Sequence, residues 1–221
     1  MTEGYFITGT DTGIGKTLVS CALLHAFAAN GRKVIGMKPV AAGCENGHWM
    51  DVDLLVAAST VSAPCKLVNP YALIPPLAPH IAAKQANIEI DPTVIQKAFF
   101  ELKKTAEMVI IEGVGGFLVP LSGQYDGADL ARILNLPVIL VVGLRLGCLN
   151  HALLTAQAVK ANGLRLGGWV ANGIDPQMLA QKENIQALKQ RLDCPLLGII
   201  PFVKDMNLKN ISKLLDIREL A

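Results

Sequence analysis

Short, nearly unbroken apolar runs alternate along this chain with longer stretches whose apolar residues return every three or four positions. The runs at residues 5–8, 34–38, 108–112, 138–142, 166–171 and 197–200 read as strands. They lack the polar alternation of a half-exposed strand, so both faces of the sheet are expected to be covered. Residues 16–30 (KTLVSCALLHAFAAN) read as a helix stopped at Asn30-Gly31, and 149–162 as another stopped at Asn162-Gly163. Asp91-Pro92 has the form of an N-cap and first helical residue, opening a helix to about residue 105. Shorter helices are predicted over 51–59 and 128–134, a longer one over 176–192, and a short surface helix in the C-terminal tail. Residues 60–80 are expected to be irregular, because Pro75, Pro76 and Pro79 oppose regular elements. Residues 113–127 form a Gly-rich loop. Strands alternating with helices through short connections imply right-handed crossovers. The expectation is an α/β fold, a mostly parallel β-sheet flanked by helices, in a single domain over residues 1–221. In such sheets ligands bind outside the carboxyl ends of the strands.

Composition narrows the class. The 221 residues are 52% hydrophobic and only 17% charged, which excludes a disordered chain. The longest strongly apolar stretch, 136–144, is interrupted by Pro137 and Gly143. It falls short of the roughly 18–20 residues of a spanning helix, so no membrane partner is expected. Lys and Arg number 20 against 18 Asp and Glu, a net charge of +2, and no basic stripe suggests a nucleic-acid partner. The five cysteines are scattered without a CxxC pair, as suits free thiols in a reducing compartment. Residues 1–5 lack a basic region followed by an apolar one, so no signal peptide is expected and the cytoplasm is the expected location.

Candidate chemistry begins after the first strand, in Gly9-Thr10-Asp11-Thr12-Gly13-Ile14-Gly15-Lys16-Thr17. The strict phosphate-loop pattern wants Gly six residues before the lysine, where Thr10 stands. The mechanics survive: Gly13 and Gly15 let backbone N–H groups turn inward, and the helix start adds partial positive charge. Lys16 can reach β/γ-phosphates, and the Thr17 hydroxyl can ligate Mg²⁺. A nucleotide triphosphate site is therefore expected, with a P-loop NTPase-like fold. Glu112, ending the third strand, stands where a parallel-sheet ATPase holds a second metal ligand, and hard oxygens are what Mg²⁺ requires. Asp51 suits a helix start, whereas Asp53 is open between helix-dipole partner and ligand. Lys38, at the end of the second strand, can stabilise charge on a transferring phosphoryl group.

At these residues the chain resembles the dethiobiotin synthetases, a P-loop family. The resemblance is carried by Tyr5-Phe6-Ile7-Thr8-Gly9-Thr10-Asp11-Thr12, Gly15-Lys16-Thr17, Lys38-Pro39-Val40, Asn69-Pro70-Tyr71, Pro79-His80-Ile81, Glu112-Gly113-Val114-Gly115-Gly116, Leu146-Gly147-Cys148-Leu149-Asn150-His151 and Gly168-Trp169-Val170-Ala171-Asn172. It implies an ATP- and Mg²⁺-dependent ring closure of 7,8-diaminononanoate with CO₂, giving dethiobiotin, ADP and phosphate in biotin synthesis. Carried over residue by residue, Gly13, Ile14, Gly15, Lys16, Thr17 and Leu18 would cradle the triphosphate. Thr17, Asp53 and Glu112 would surround Mg²⁺, and Lys16 and Lys38 would flank the γ-phosphate and carbamate. Gly113, Val114 and Gly115 would also touch nucleotide. Asn172 with Gly173 would read the adenine edge, and Pro201, Phe202 and Val203 would close over the base.

The resemblance departs at Ala42, where relatives often carry a Ser hydroxyl that contacts substrate, a bond that Thr12 or water is expected to replace. It departs again at Gly13, often acidic in relatives, so no carboxylate role is assigned in the loop. Gly147, Cys148, Leu149 and Asn150 begin a helix whose free N–H groups suit the substrate carboxylate. The resemblance adds that this segment lies at the two-fold interface of a homodimer. Asn150 itself is open between helix cap and substrate neighbour. His80, His151, Cys148 and Trp169 are expected in structural roles. The competing function is a dimeric P-loop ATPase switch of the partition or nitrogenase-iron-protein type. Such loops carry a lysine five residues before the P-loop lysine, where this chain has Asp11.

Overall fold

The computed structural model describes residues 4–202 and 207–220. Six strands form one sheet in the order β2-β5-β1-β6-β7-β8: β1 (Gly4–Gly9), β2 (Val34–Met37), β5 (Met108–Glu112), β6 (Val138–Leu144), β7 (Leu166–Gly173) and β8 (Leu196–Ile200). Every neighbouring pair is parallel. The strand order reverses around β1, and the β1 loop therefore opens at the crevice where parallel sheets bind ligands.

The apolar runs sort by parity. Tyr5, Ile7, Met108, Ile110, Ile139 and Val141 pack beneath α1 (Lys16–Ala29). Phe6, Val109 and Ile111 face the opposite layer, built on α5 (Pro92–Leu102) and α6 (Gly127–Leu134). Leu140, Val142 and Leu144 pack against α7 (Cys148–Ala161) and α8 (Gln181–Lys189). Period-2 side chains buried on both faces account for the absence of polar alternation.

Two expectations need correction. Residues 60–80 contain α3 (Cys65–Val68) and β4 (Tyr71–Leu73), and Pro79 opens α4 (Pro79–Gln85). Proline lacks the N–H that a first helical residue does not need, so it starts this helix rather than preventing it. β4 pairs in parallel with β3 (Val40–Ala42), making a second, two-stranded sheet beside the main one. The helix expected over 176–192 is confined to α8, preceded by Ala180 in the left-handed conformation at φ 51°. α2 (Met50–Ala58) lies where expected. The tail supplies α9 (Leu208–Ser212) and a 3₁₀ turn (Arg218–Leu220), whose Leu220 carbonyl accepts from the Tyr5 hydroxyl. No helix among the described residues is long and apolar enough to cross a membrane.

Candidate active site

The carboxyl ends of β1, β2 and β5 converge with α2 on one cavity of about 910 Å³, whose walls include Thr12, Lys16, Thr17, Lys38, Asp51 and Glu112. The loop after β1 is stitched to β6 through Thr10 N–H donating to Val141 O at 3.0 Å. Gly13 (φ 71°) and Gly15 (φ 87°) take left-handed conformations that side chains resist. A Cβ on Gly15 would also stand 2.2 Å from Asn172 Nδ2. Gly15 is the N-cap of α1 and supplies no side-chain acceptor, leaving the first amides of α1 for an anion.

Two buried ammonium groups face this helix start. Lys16 donates to Asp11 O at 2.8 Å. Burial, then the neighbouring Lys38 charge, push its pKa down to about 8. Lys38 Nζ lies 2.6 Å from Glu112 Oε1, 2.9 Å from Asp51 Oδ2 and 3.2 Å from Gly113 O. Burial opposes its charge, but Glu112 and Asp51 outweigh that and hold its pKa above the usual lysine value. Asp51 keeps its carboxyl below the usual range for the converse reason: burial raises it, and Lys38 and Thr17 more than offset the rise.

Thr17 Oγ1 stands 3.0 Å from Asp51 Oδ1 and 2.8 Å from Glu112 Oε1. One hydroxyl proton cannot serve both carboxylates. The buried Glu112 Oε2 has no hydrogen-bond partner among the described residues. Three hard oxygen donors with an orphaned carboxylate oxygen fit a divalent cation that completes its shell with water and phosphate.

The aspartate that the fold brings to Thr17 and Lys38 is Asp51, whereas Asp53, expected there from sequence, points elsewhere. Asp53 Oδ2 bonds the exposed His48 Nδ1 at 2.9 Å, with more than half its side chain in solvent. α2 begins at Met50, so residues 51 and 53 are about 200° apart around the helix, on opposite faces. Asp51 is no cap either, since Trp49 occupies that position. Only the helix register decides between them, and sequence spacing alone did not contain it.

The remaining candidates lie in several places. Gly13, Gly15, Leu18, Val114 and Gly115 line the same cavity, while Ile14 is buried behind the loop. Asn172, 4% exposed, commits its Nδ2 to Ile14 O at 2.8 Å, bracing the phosphate loop and leaving its amide oxygen for another donor. Gly173 abuts the backbone of Phe202, so Asn172, Gly173, Pro201 and Phe202 are brought together beside the loop. Val203 lies outside the described residues. Gly147, Cys148, Leu149 and Asn150 start α7 as expected, with Gly147 at φ 93° as its N-cap, but none of them lines the cavity of its own chain. Ala42 does line it, and so does the segment from Pro76 to Pro79, which sequence reasoning did not place there. Arg145, given no role from sequence, pairs with the Asp11 carboxylate, which also accepts from Thr12 N–H at 2.7 Å.

The parallel sheet and its Gly-Lys-Thr loop define a P-loop nucleotide-binding protein. An AAA-domain family model matches residues 3–210. At the level of fold the chain is similar to the MinC:MinD cell division protein complex of Aquifex aeolicus, with TM-score 0.61, 18% identity and 98% and 88% of the two chains covered. It is likewise similar to the septum site-determining protein MinD of Pyrococcus horikoshii complexed with Mg-ADP, with TM-score 0.59, 19% identity and coverage of 99% and 89%. In sequence it is 62% identical to the ATP-dependent dethiobiotin synthetase BioD of Nitrosospira multiformis over 100% of this chain and 98% of that protein. It is 57% identical to the BioD of Aromatoleum aromaticum, covering 92% and 93%. The chain belongs to the ATP-dependent dethiobiotin synthetase family.

Proposed function

We propose that this protein closes the ureido ring of dethiobiotin from 7,8-diaminononanoate, CO₂ and ATP, acting on small molecules in the cytoplasm. The observation that carries the reading is the buried Lys38 ammonium, held between Glu112 and Asp51 beside the phosphate-loop Lys16. A nucleotide-binding module without phosphoryl chemistry has no use for a second buried cation at that point. The dimeric switch reading is disfavoured because Asp11, at the position of the switch lysine, is neutralised within the chain by Arg145.

One amine of the substrate adds to CO₂ and loses a proton, giving a carbamate. A carbamate oxygen attacks the γ-phosphorus, and ADP leaves with the electrons of the broken P–O bond. The second amine then attacks the carbonyl carbon, phosphate departs with the amine proton, and the cyclic urea closes. Phosphoryl transfer asks the protein mainly for position and charge. The amides of the loop and α1 hold the β- and γ-phosphates, Lys16 takes their oxygens, and Lys38 meets the charge passing from carbamate to phosphate. Thr17, Asp51 and Glu112 would hold Mg²⁺, which when bound supplies positive charge to the β- and γ-oxygens. The free oxygen of Asn172 accepts from the adenine amino group, with Gly173, Pro201 and Phe202 beside the base. Thr12 and the backbone around Ala42 face the diamine.

The substrate carboxylate needs an anchor, and the α7 start offers free amides with a favourable dipole. Because it does not line its own chain's cavity, it serves the partner's site in a homodimer, and Leu146, 95% exposed beside it, becomes interface. Incubation with Mg-ATP, bicarbonate and 7,8-diaminononanoate should yield dethiobiotin by mass spectrometry. ATP hydrolysis that ignores the diamine, with no dethiobiotin formed, would overturn the reading.

A further inference from the structure

Lys38 stands just beyond the end of β2, and β2 is an edge strand of the main sheet. On one side its neighbour is β5, where Met37 pairs with Ile111 and Glu112 follows. On the other side, among the described residues, the main sheet has no strand. The next residue, Pro39, has no N–H to anchor the chain as it passes toward β3.

What holds the Lys38 backbone comes from the short segment between α3 and β4. Lys38 N–H donates to Val68 O at 2.9 Å. Asn69 Nδ2 donates to Lys38 O at 2.6 Å with one hydrogen, and to Tyr71 O at 3.2 Å with the other. Both polar groups of the Lys38 main chain are therefore clasped by consecutive residues of one segment. Pro70 has no N–H to offer at this crossing, and the Asn69 side chain supplies a donor there instead. Asn69 is only 5% exposed and Lys38 3%. A buried amide without its partners is costly, so a side chain of this kind stays where both hydrogens are satisfied.

We infer that Asn69 is a positioning residue for Lys38, fixing the backbone from which the ammonium reaches Glu112, Asp51 and the transferring phosphoryl group. This rests on the proposed role of Lys38. The amide clasp fixes the root of a side chain whose far end is held by Glu112 and Asp51, so the charge is delivered from a fixed point. Near-attack geometry is sensitive to such roots: displacements on the order of 1 Å cost up to about 10²-fold in rate. Asn69 does not itself line the cavity and reaches it only through Lys38, so it should act on the rate of the chemical step and leave nucleotide binding alone.

The test is a double-mutant cycle with Lys38→Ala, using Asn69→Ala and the isosteric Asn69→Asp, which replaces the donor by an acceptor. Turnover is normalised to sites titrated with ADP, so that partial misfolding of either variant drops out. Asn69 substitution should lower kcat per site about 10- to 100-fold, with the ADP dissociation constant essentially unmoved. In the Lys38→Ala background the same substitution should cost nothing further. A purely structural asparagine would lower the unfolding midpoint at unchanged kcat per site, and that result overturns the inference. So do losses that multiply across the cycle, since they mean that Asn69 acts apart from Lys38. If Lys38→Ala alone keeps wild-type turnover, the role of Lys38 fails and the inference falls with it, distinguishably from failure at Asn69.

Discussion

Lys16 and Lys38 carry the same charge in the same cavity, yet their surroundings push them in opposite directions. Lys16 bonds a carbonyl, and burial with the Lys38 charge outweighs the pull of the nearby carboxylates, whereas Lys38 bonds two carboxylates directly. With its folded pKa near 8 against 10.5 for the ordinary group, Lys16 binds fewer protons folded than unfolded between those values. The ligand-free protein therefore gains stability from this group as pH rises through that window. Bound phosphate favours the charged form, so nucleotide affinity should move the other way. The dissociation constant for ADP is expected to rise above pH 8, by up to about tenfold per pH unit, and Lys16→Arg should flatten the profile because guanidinium stays protonated. An affinity constant from pH 7 to 10 in the wild type would show that Lys16 keeps its charge throughout. Asp51 and Asp53 give a second contrast. Asp51→Asn removes an anionic oxygen beside Thr17 and should raise the Mg²⁺ needed for half-maximal rate by about 10-fold or more. Asp53→Asn, at the exposed His48 pair, should leave the titration where it was. The reverse result would restore Asp53 to the metal shell and remove Asp51.

At the scale of elements, caps and registers decide where these side chains arrive. The glycine-rich segment after β5 ends on α6 through a capping box, in which Asp126 accepts from Asp129 N–H at 2.9 Å and Asp129 accepts from Asp126 N–H at 3.1 Å. Gly127 N–H then ties back to Val119 O at 3.0 Å. Asp126→Ala should lower unfolding stability by about 1 kcal/mol, read from the denaturant midpoint at unchanged slope. An unmoved midpoint would mean that the tie to Val119 holds the helix start alone. Caps of this kind were legible in sequence, as Asp91-Pro92 shows, because they depend on neighbours in the chain. The segment 60–80 was not. Its three prolines were read as breakers, but Pro79 is a starter, and β4 exists only because β3 lies alongside it.

For the whole molecule, the decisive question is whether one chain makes a complete site. The α7 start, proposed for the substrate carboxylate, does not line its own chain's cavity. Two deficient proteins should therefore complement each other. Lys38→Ala removes the charge at the phosphate site, while Gly147→Leu forces a side chain into φ 93° at the α7 start, at a cost of roughly 1–2 kcal/mol there. Mixed after dissociation, half the dimers are hybrids, and each hybrid has one fully intact site. About a quarter of wild-type activity should return, as follows from random pairing of isologous dimers. No recovery, with hybrid formation verified by mass spectrometry, would place the carboxylate within one chain. Local pattern was enough for the parallel α/β architecture, because apolar runs too short for helices and alternating with helical segments are buried as strands of a sheet covered on both faces. It also determined the phosphate loop, whose glycines, lysine and threonine act through neighbours in the chain. Tertiary structure alone decided that Asp51 and not Asp53 meets Thr17, that Asn69 clasps Lys38, and that Arg145 neutralises Asp11. Each of these depends on a helix phase or on a contact between segments 31 to 134 residues apart. Local pattern specifies which elements form, whereas the meeting of distant side chains is set by how those elements pack.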